Sequence, residues 1–147
     1  MKWLLDTNVV SEGMRPRPDR RVLNWLDGQL SDDVAVSDIT LAEIACGAAN
    51  MRDKTQRDRF ERWLASITNL FRDRTFPVDV DILADWLALA RTLRAHGKPQ
   101  SAPDLLIAST ARIHGLVVVS RNVRDFADTG VVVYDPWHDK THHMVEP

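Results

Sequence analysis

The stretch Trp3-Leu4-Leu5-Asp6-Thr7-Asn8 decides how this chain is read. Three apolar residues followed at once by a carboxylate describe a short buried strand that ends in an acid. Open α/β sheets build their sites this way, because parallel strands stop at a crevice that ligands enter. Two more acids, Glu43 and Asp104, stand at comparable boundaries, each at the opening of an expected helix. Three carboxylates brought to one place repel one another unless they are protonated or neutralised by a cation. A divalent metal is the economical resolution.

The rest of the chain supplies the sheet that such a site needs. Residues 2–5, 34–36, 116–119 and 131–133 read as strands, and Phe76-Pro77-Val78 as a short extended piece. Ser37 opens a helical stretch to about Met51, and Phe60, Trp63, Leu64, Ile67 and Leu70 recur at helical spacing over 56–70. Asp79 caps a helix with the face Ile82, Leu83, Trp86, Leu89, Ala90 and Leu93, closing near Gly97-Lys98-Pro99. A last helix opens around Ser101 to Asp104 and stops at His114-Gly115, where glycine suits the left-handed backbone. Strands separated by helices predict an α/β fold with a mainly parallel central sheet and helices on both faces. One domain is expected over residues 1–137, with the polar residues 138–147 as a short exposed C-terminal tail. His138, His142 and His143 lie in that tail and are not expected to form a metal site.

Composition frames the domain. A chain of 147 residues, 44% apolar and 27% charged, suits one globular unit that buries its own core. No segment approaches the ~20 apolar residues of a membrane span, and the amino terminus lacks a leader pattern, so a cytoplasmic protein without a membrane partner is expected. Cys46, the single cysteine, cannot form an internal disulfide and is expected to act as a small buried hydrophobe. The formal charge of −2 gives no overall pull toward nucleic acid, although Arg15, Arg17, Arg20 and Arg21 form a local basic cluster. Trp25, Trp63 and Trp86 sit at core-like helical positions. Neither a glycine-rich phosphate loop nor a nucleophilic triad is present.

Each acid also has a purely structural reading. Asp6 and Asn8 suit a turn and helix cap. Glu43 follows Thr40 by three residues, the spacing of a capping box. If Ser37 is the cap instead, Glu43 lies a turn deeper and is free to project into a crevice. Asp104, after Pro103, suits a first-turn acid favoured by the helix dipole by about 0.3–1 kcal/mol.

The segments Leu4-Leu5-Asp6-Thr7-Asn8-Val9-Val10-Ser11-Glu12, Ile39-Thr40-Leu41-Ala42-Glu43-Ile44, Asp104-Leu105-Leu106-Ile107-Ala108 and Ser120-Arg121-Asn122-Val123-Arg124-Asp125-Phe126 together resemble PIN-domain proteins. Within that family they look most like the VapC-type toxins of type II toxin–antitoxin modules, including the FitB-like branch. The resemblance runs through Asp135-Pro136-Trp137. It implies a PIN fold, a Mg2+- or Mn2+-dependent ribonuclease leaving 5′-phosphate and 3′-hydroxyl ends on its RNA substrate, and a homodimer. It also implies a small cognate antitoxin that blocks the site and allows a higher-order complex.

Carried over position by position, the family's acids fall on Asp6, Glu43 and Asp104 as the metal-site carboxylates. Thr7 and Asn8 match the polar residues that hold the loop and orient Asp6. Many relatives place a fourth acid after the last central strand, where this chain has Asn122, with Asp125 three residues on. Asn122 is the preferred fourth residue, as a carbonyl ligand or the holder of a water; Asp125 is the alternative metal carboxylate, and Ser120 is able to orient either. Arg121 and Arg124 are the expected phosphate contacts, extended by the cluster at 15–21.

Carboxylate oxygens favour magnesium or manganese, and a bound cation lowers the pKa of a water while neutralising phosphoryl oxygens. Two other functions fit fewer residues. A metal-dependent phosphatase of another α/β type usually carries a second aspartate two residues after the first, where this chain has Asn8. A non-catalytic PIN-like module that binds nucleic acid or a partner has no need of the three acids.

Overall fold

The computed structural model describes residues 1–147. In chain order the elements are β1 (Trp3–Leu5), α1 (Thr7–Val10), α2 (Arg20–Asp27), β2 (Val34–Ser37), α3 (Asp38–Ala49), α4 (Lys54–Leu70), β3 (Thr75–Phe76), α5 (Val80–Ala95), α6 (Ala102–His114), β4 (Val117–Val119), β5 (Val132–Asp135) and β6 (Lys140–His143). The six strands form one sheet in the order β3-β2-β1-β4-β5-β6. The first five are parallel and β6 is antiparallel to β5. This is the α/β architecture expected from the alternation of strands and helices.

Successive strand residues point to opposite faces, and both faces are covered. Leu4, Val118 and Val133 pack with Leu89 and Leu93 of α5 and Leu105, Ile107 and Ala108 of α6. Leu5, Val36 and Val119 pack instead with Val9, Val22, Ile44 and Phe71. Because Leu4 and Leu5 are both buried, each stabilises the fold by roughly 1.5–3 kcal/mol, one in each layer.

The strand order reverses between β1 and β4. At such a reversal the connecting segments leave in opposite directions and a crevice opens beyond the carboxyl ends of the strands. Asp6 follows β1 directly, and Ser120 follows β4. Side-chain caps fix where the helices begin. Asp19, Ser37, Asp53, Asp79 and Ser101 each accept a hydrogen bond from a first-turn backbone N–H. Ser37 is therefore the cap of α3, and the Thr40 capping box does not form. The Thr40 hydroxyl donates to the Leu5 carbonyl at 3.2 Å, which ties α3 to the end of β1.

Three features differ from expectation. Residues 140–143 are not a free tail but strand β6, with Val132 opposite His143 and Asp135 opposite Lys140. The reversal is held by Asp135, which accepts from the Trp137 N–H and lies 2.7 Å from His138 Nδ1, and by Asp139 at φ 51°. Exposed lysine and histidine suit a sheet edge, because charge discourages pairing with another chain. Cys46 is exposed rather than buried. The inward stripe of α3 runs through Thr40, Ile44 and Ala48, and a residue two positions from Ile44 lies on the opposite side. Helix α2 was anticipated only through the helical placing of Trp25 and without bounds; its further signals were the Asp19 cap and the pattern around the buried Val22. No helix is long and apolar enough to cross a membrane.

Candidate active site

Asp6 is 5% exposed and caps the short helix α1. Its Oδ1 accepts from the Thr7 N–H at 2.7 Å, and its Oδ2 accepts from Asn8 Nδ2 at 2.6 Å and the Ser120 hydroxyl at 2.6 Å. Asn8 also donates to Ser120 Oγ at 3.1 Å and accepts from the Arg121 N–H at 3.1 Å. The ends of β1 and β4 are thereby joined through side chains; Ser120, expected to orient Asn122 or Asp125, donates its hydroxyl to Asp6 instead. Burial pushes the Asp6 pKa up from 3.8 to about 6 against the opposing hydrogen bonds from Ser120 and Thr7. The nearby Asp104 and Glu43 carboxylates add to the rise.

Glu43 lies in the second turn of α3, and its Oε2 accepts from the Thr7 hydroxyl at 2.6 Å. Thr7 thus binds Asp6 through its backbone and Glu43 through its side chain, a bridge that sequence reading did not foresee. Asp104 is the third residue of α6. Its carboxylate accepts from the Ser101 hydroxyl, and Ser101 Oγ accepts from the Asp104 N–H at 3.3 Å. The spacing Ser101-x-x-Asp104 was the available signal for that pair. Burial raises the Asp104 pKa, the Ser101 hydrogen bond opposes this, and Asp125 and Glu43 raise it further.

Asp125 is half-buried in the tight turn Val123–Phe126. Asn122, just before it, is exposed; its backbone N–H donates to Ser120 Oγ at 3.0 Å and its side chain makes no capping bond. The group from this turn that acts on Asp104 is the Asp125 carboxylate. The turn leaves Asn122 exposed and Asp125 half-buried.

The acids that act on Asp6 and Asp104 come from separate segments, and no lysine or arginine is among the groups that shift either one. Hard oxygen donors with uncompensated charge suit a hard dication. No three of the acids are drawn close enough to hold one ion in common. Magnesium is bound through one or two carboxylates while retaining several waters, so the donor set fits.

Around this centre, Arg121 and Arg124 are exposed, and the Arg121 guanidinium stacks 5.3 Å from the Trp137 ring. In the basic cluster, Arg21 is held by Asp19 at 2.7 Å. Glu12 is another residue missed from sequence. It is 2% exposed, accepts from the Asp19 N–H at 2.8 Å and lies 3.4 Å from Arg15, closing the Glu12–Asp19 loop.

Residues 3–132 match the PIN domain family. The toxin FitB of Neisseria gonorrhoeae is 41% identical over 137 residues, covering 92% of this chain and 99% of that protein. The VapC ribonuclease Y4jK of Sinorhizobium fredii is 34% identical over 135 residues, covering 91% of this chain and 96% of that protein. The crystal structure of FitAcB from Neisseria gonorrhoeae superimposes with a TM-score of 0.86 at 39% identity, over 92% of this chain and 99% of that one. With β1 and β4 delivering Asp6 and Ser120 to the crevice and α3 and α6 delivering Glu43 and Asp104, this chain belongs to the PIN domain family.

Proposed function

We propose that this chain is the toxin of a type II toxin–antitoxin pair and acts as a ribonuclease, hydrolysing RNA phosphodiester bonds with Mg2+ or Mn2+. The observation that carries the reading is the set of mutually repelling acids at the switch crevice, with no cation among the groups that shift them. The names of the similar FitB toxin and VapC ribonuclease support it.

One or two of Asp6, Glu43 and Asp104 would hold the ion directly and the remaining acids would act through its waters, with Asp125 as the fourth acid in preference to Asn122. When bound, the ion neutralises phosphoryl oxygens and supplies an acidified water. The chain's own groups prepare that chemistry. Thr7 positions Glu43, while Asn8 and Ser120 fix the rotamer of Asp6. Arg121 and Arg124 offer charge to the RNA phosphates, and the exposed Asn122 amide contacts the strand rather than the ion.

The partners follow from the same reading: a small antitoxin that covers the crevice, and a second copy of the chain. Val80, Leu83 and Leu87 are exposed at helical spacing on α5, an apolar stripe suited to a homodimer contact. A cytoplasmic location completes the proposal. The test is incubation of the purified, antitoxin-free chain with an RNA pool in Mg2+, Mn2+ or chelator, followed by mapping of the ends. Metal-dependent cuts with 5′-phosphate ends support the reading. Intact RNA in both metals, or release of phosphate from small esters alone, contradicts it.

A further inference from the structure

We propose that the cleft between the Glu12–Asp19 loop and the turn joining α3 to α4 is a nucleobase subsite for single-stranded RNA. It rests on the ribonuclease reading and says where the strand lies. The cleft, of about 300 Å3, is lined by Met14, Pro16, Met51, Gln56, Arg59 and Phe60. Both walls continue from segments that carry the acids. Met14 lies on the loop that α1 leads into after Asp6, and Met51 lies just past the end of α3, which carries Glu43. At 1.5 Å per helical residue, Met51 stands ~12 Å along the α3 axis from Glu43. Gly47 falls between them, and a side chain added there meets nothing within 4 Å; the same holds at Gly13. Both glycines therefore border open space.

The floor is apolar and the rim is cationic. Met14, Met51 and Phe60 are half-buried, and the Phe60 ring is held by Trp63 at 5.0 Å between centroids. Arg59 lines the cleft, and Arg15, Arg17 and Arg52, each next in sequence to the lining residues Pro16 or Met51, are exposed. Residues 12–21 and 50–62 together carry nine Lys and Arg against five Asp and Glu, although the whole chain has a formal charge of −2. That local excess points to a polyanion rather than to an apolar peptide. A splayed base stacks on an aromatic floor while guanidinium groups meet the flanking phosphates, and the exposed Gln56 amide offers both a donor and an acceptor to a base edge.

The test is the binding of a short fluorescein-labelled single-stranded RNA of mixed sequence to the full chain, freed of its antitoxin, in chelator over a salt series. Arg59→Gln and Arg52→Gln should each lower the slope of log affinity against log salt by about 0.7, the value for one lost phosphate contact on a single strand. Phe60→Leu keeps apolar bulk; it should leave the slope unchanged and weaken binding about fivefold or more by removing the stack. With Mg2+ the same variants should raise KM and keep kcat within about twofold. Unchanged slopes and unchanged Phe60→Leu binding, while wild type still cleaves, place the strand elsewhere and overturn the subsite alone. Unchanged RNA binding with lost inhibition by the antitoxin makes the cleft a protein dock and also overturns it. A wild type that neither binds nor cleaves RNA removes the ribonuclease reading and the subsite with it.

Discussion

Asp6 should make the metal-free protein less stable as pH rises through the mildly acidic range. Its pKa is about 6 in the folded protein against 3.8 for an ordinary aspartate, chiefly because it is buried. A carboxyl whose folded pKa is raised binds its proton more tightly in the native state than in the unfolded chain. Its contribution is therefore fully present below pH 3.8 and is lost as pH climbs through 6. At 1.36 kcal/mol per pKa unit, the whole effect is about 3 kcal/mol. Roughly 2 kcal/mol of it falls between pH ~4.5 and ~7.5, where unfolding is readily measured. Asp6→Asn removes the titration. It also disturbs the hydrogen bond from Asn8, but that cost is independent of pH. The assay is urea unfolding of both proteins in chelator, at one protein concentration, across that range. The stability of Asp6→Asn minus that of wild type should rise by about 2 kcal/mol with pH. Added Mg2+ should shrink the rise, because an ion stabilises the ionised carboxylate. Parallel curves for the two proteins in chelator would refute the claim that an uncompensated buried charge sits at the crevice.

Three further outcomes follow. Asp125→Asn should weaken the apparent Mg2+ affinity of cleavage more than Asn122→Ala, because charge dominates the attraction of a hard cation; the opposite order in Mg2+ titrations restores Asn122 as the fourth site residue. Thr7→Val should lower kcat by about tenfold, the effect of losing a charge-assisted hydrogen bond of roughly 1.5 kcal/mol, with little change in the melting temperature. A rate equal to wild type removes Thr7 as the positioning group for Glu43. Leu87→Asp should convert a dimer to a monomer by light scattering, and an unchanged mass places the contact away from α5.

The first strand, Asp6, and the helix and strand pattern were legible because each rests on local chemistry. Leu4 and Leu5 precede an acid, Asp79 caps a helix whose apolar residues share one face, and Gly115 takes the left-handed backbone at φ 62°. Glu43 was ambiguous between two caps, and the structure resolves this through Ser37, whose hydroxyl accepts from the Thr40 N–H. What sequence could not carry was long-range. Strand β6 forms because β5 offers it an edge, a partner invisible in the polar stretch itself. The Thr7–Glu43 bridge joins residues 36 positions apart. Spacing alone does not reveal that the turn Val123–Phe126 leaves Asn122 exposed and Asp125 half-buried.

The most direct test of the account is the RNA cleavage rate measured against Mg2+ concentration for wild type, Asp6→Asn, Glu43→Gln and Asp104→Asn. The account predicts a wild-type rate that vanishes in chelator and saturates with Mg2+, and a fall by orders of magnitude in each folded variant. Cleavage that persists in excess chelator, or that all three variants retain in full, contradicts it.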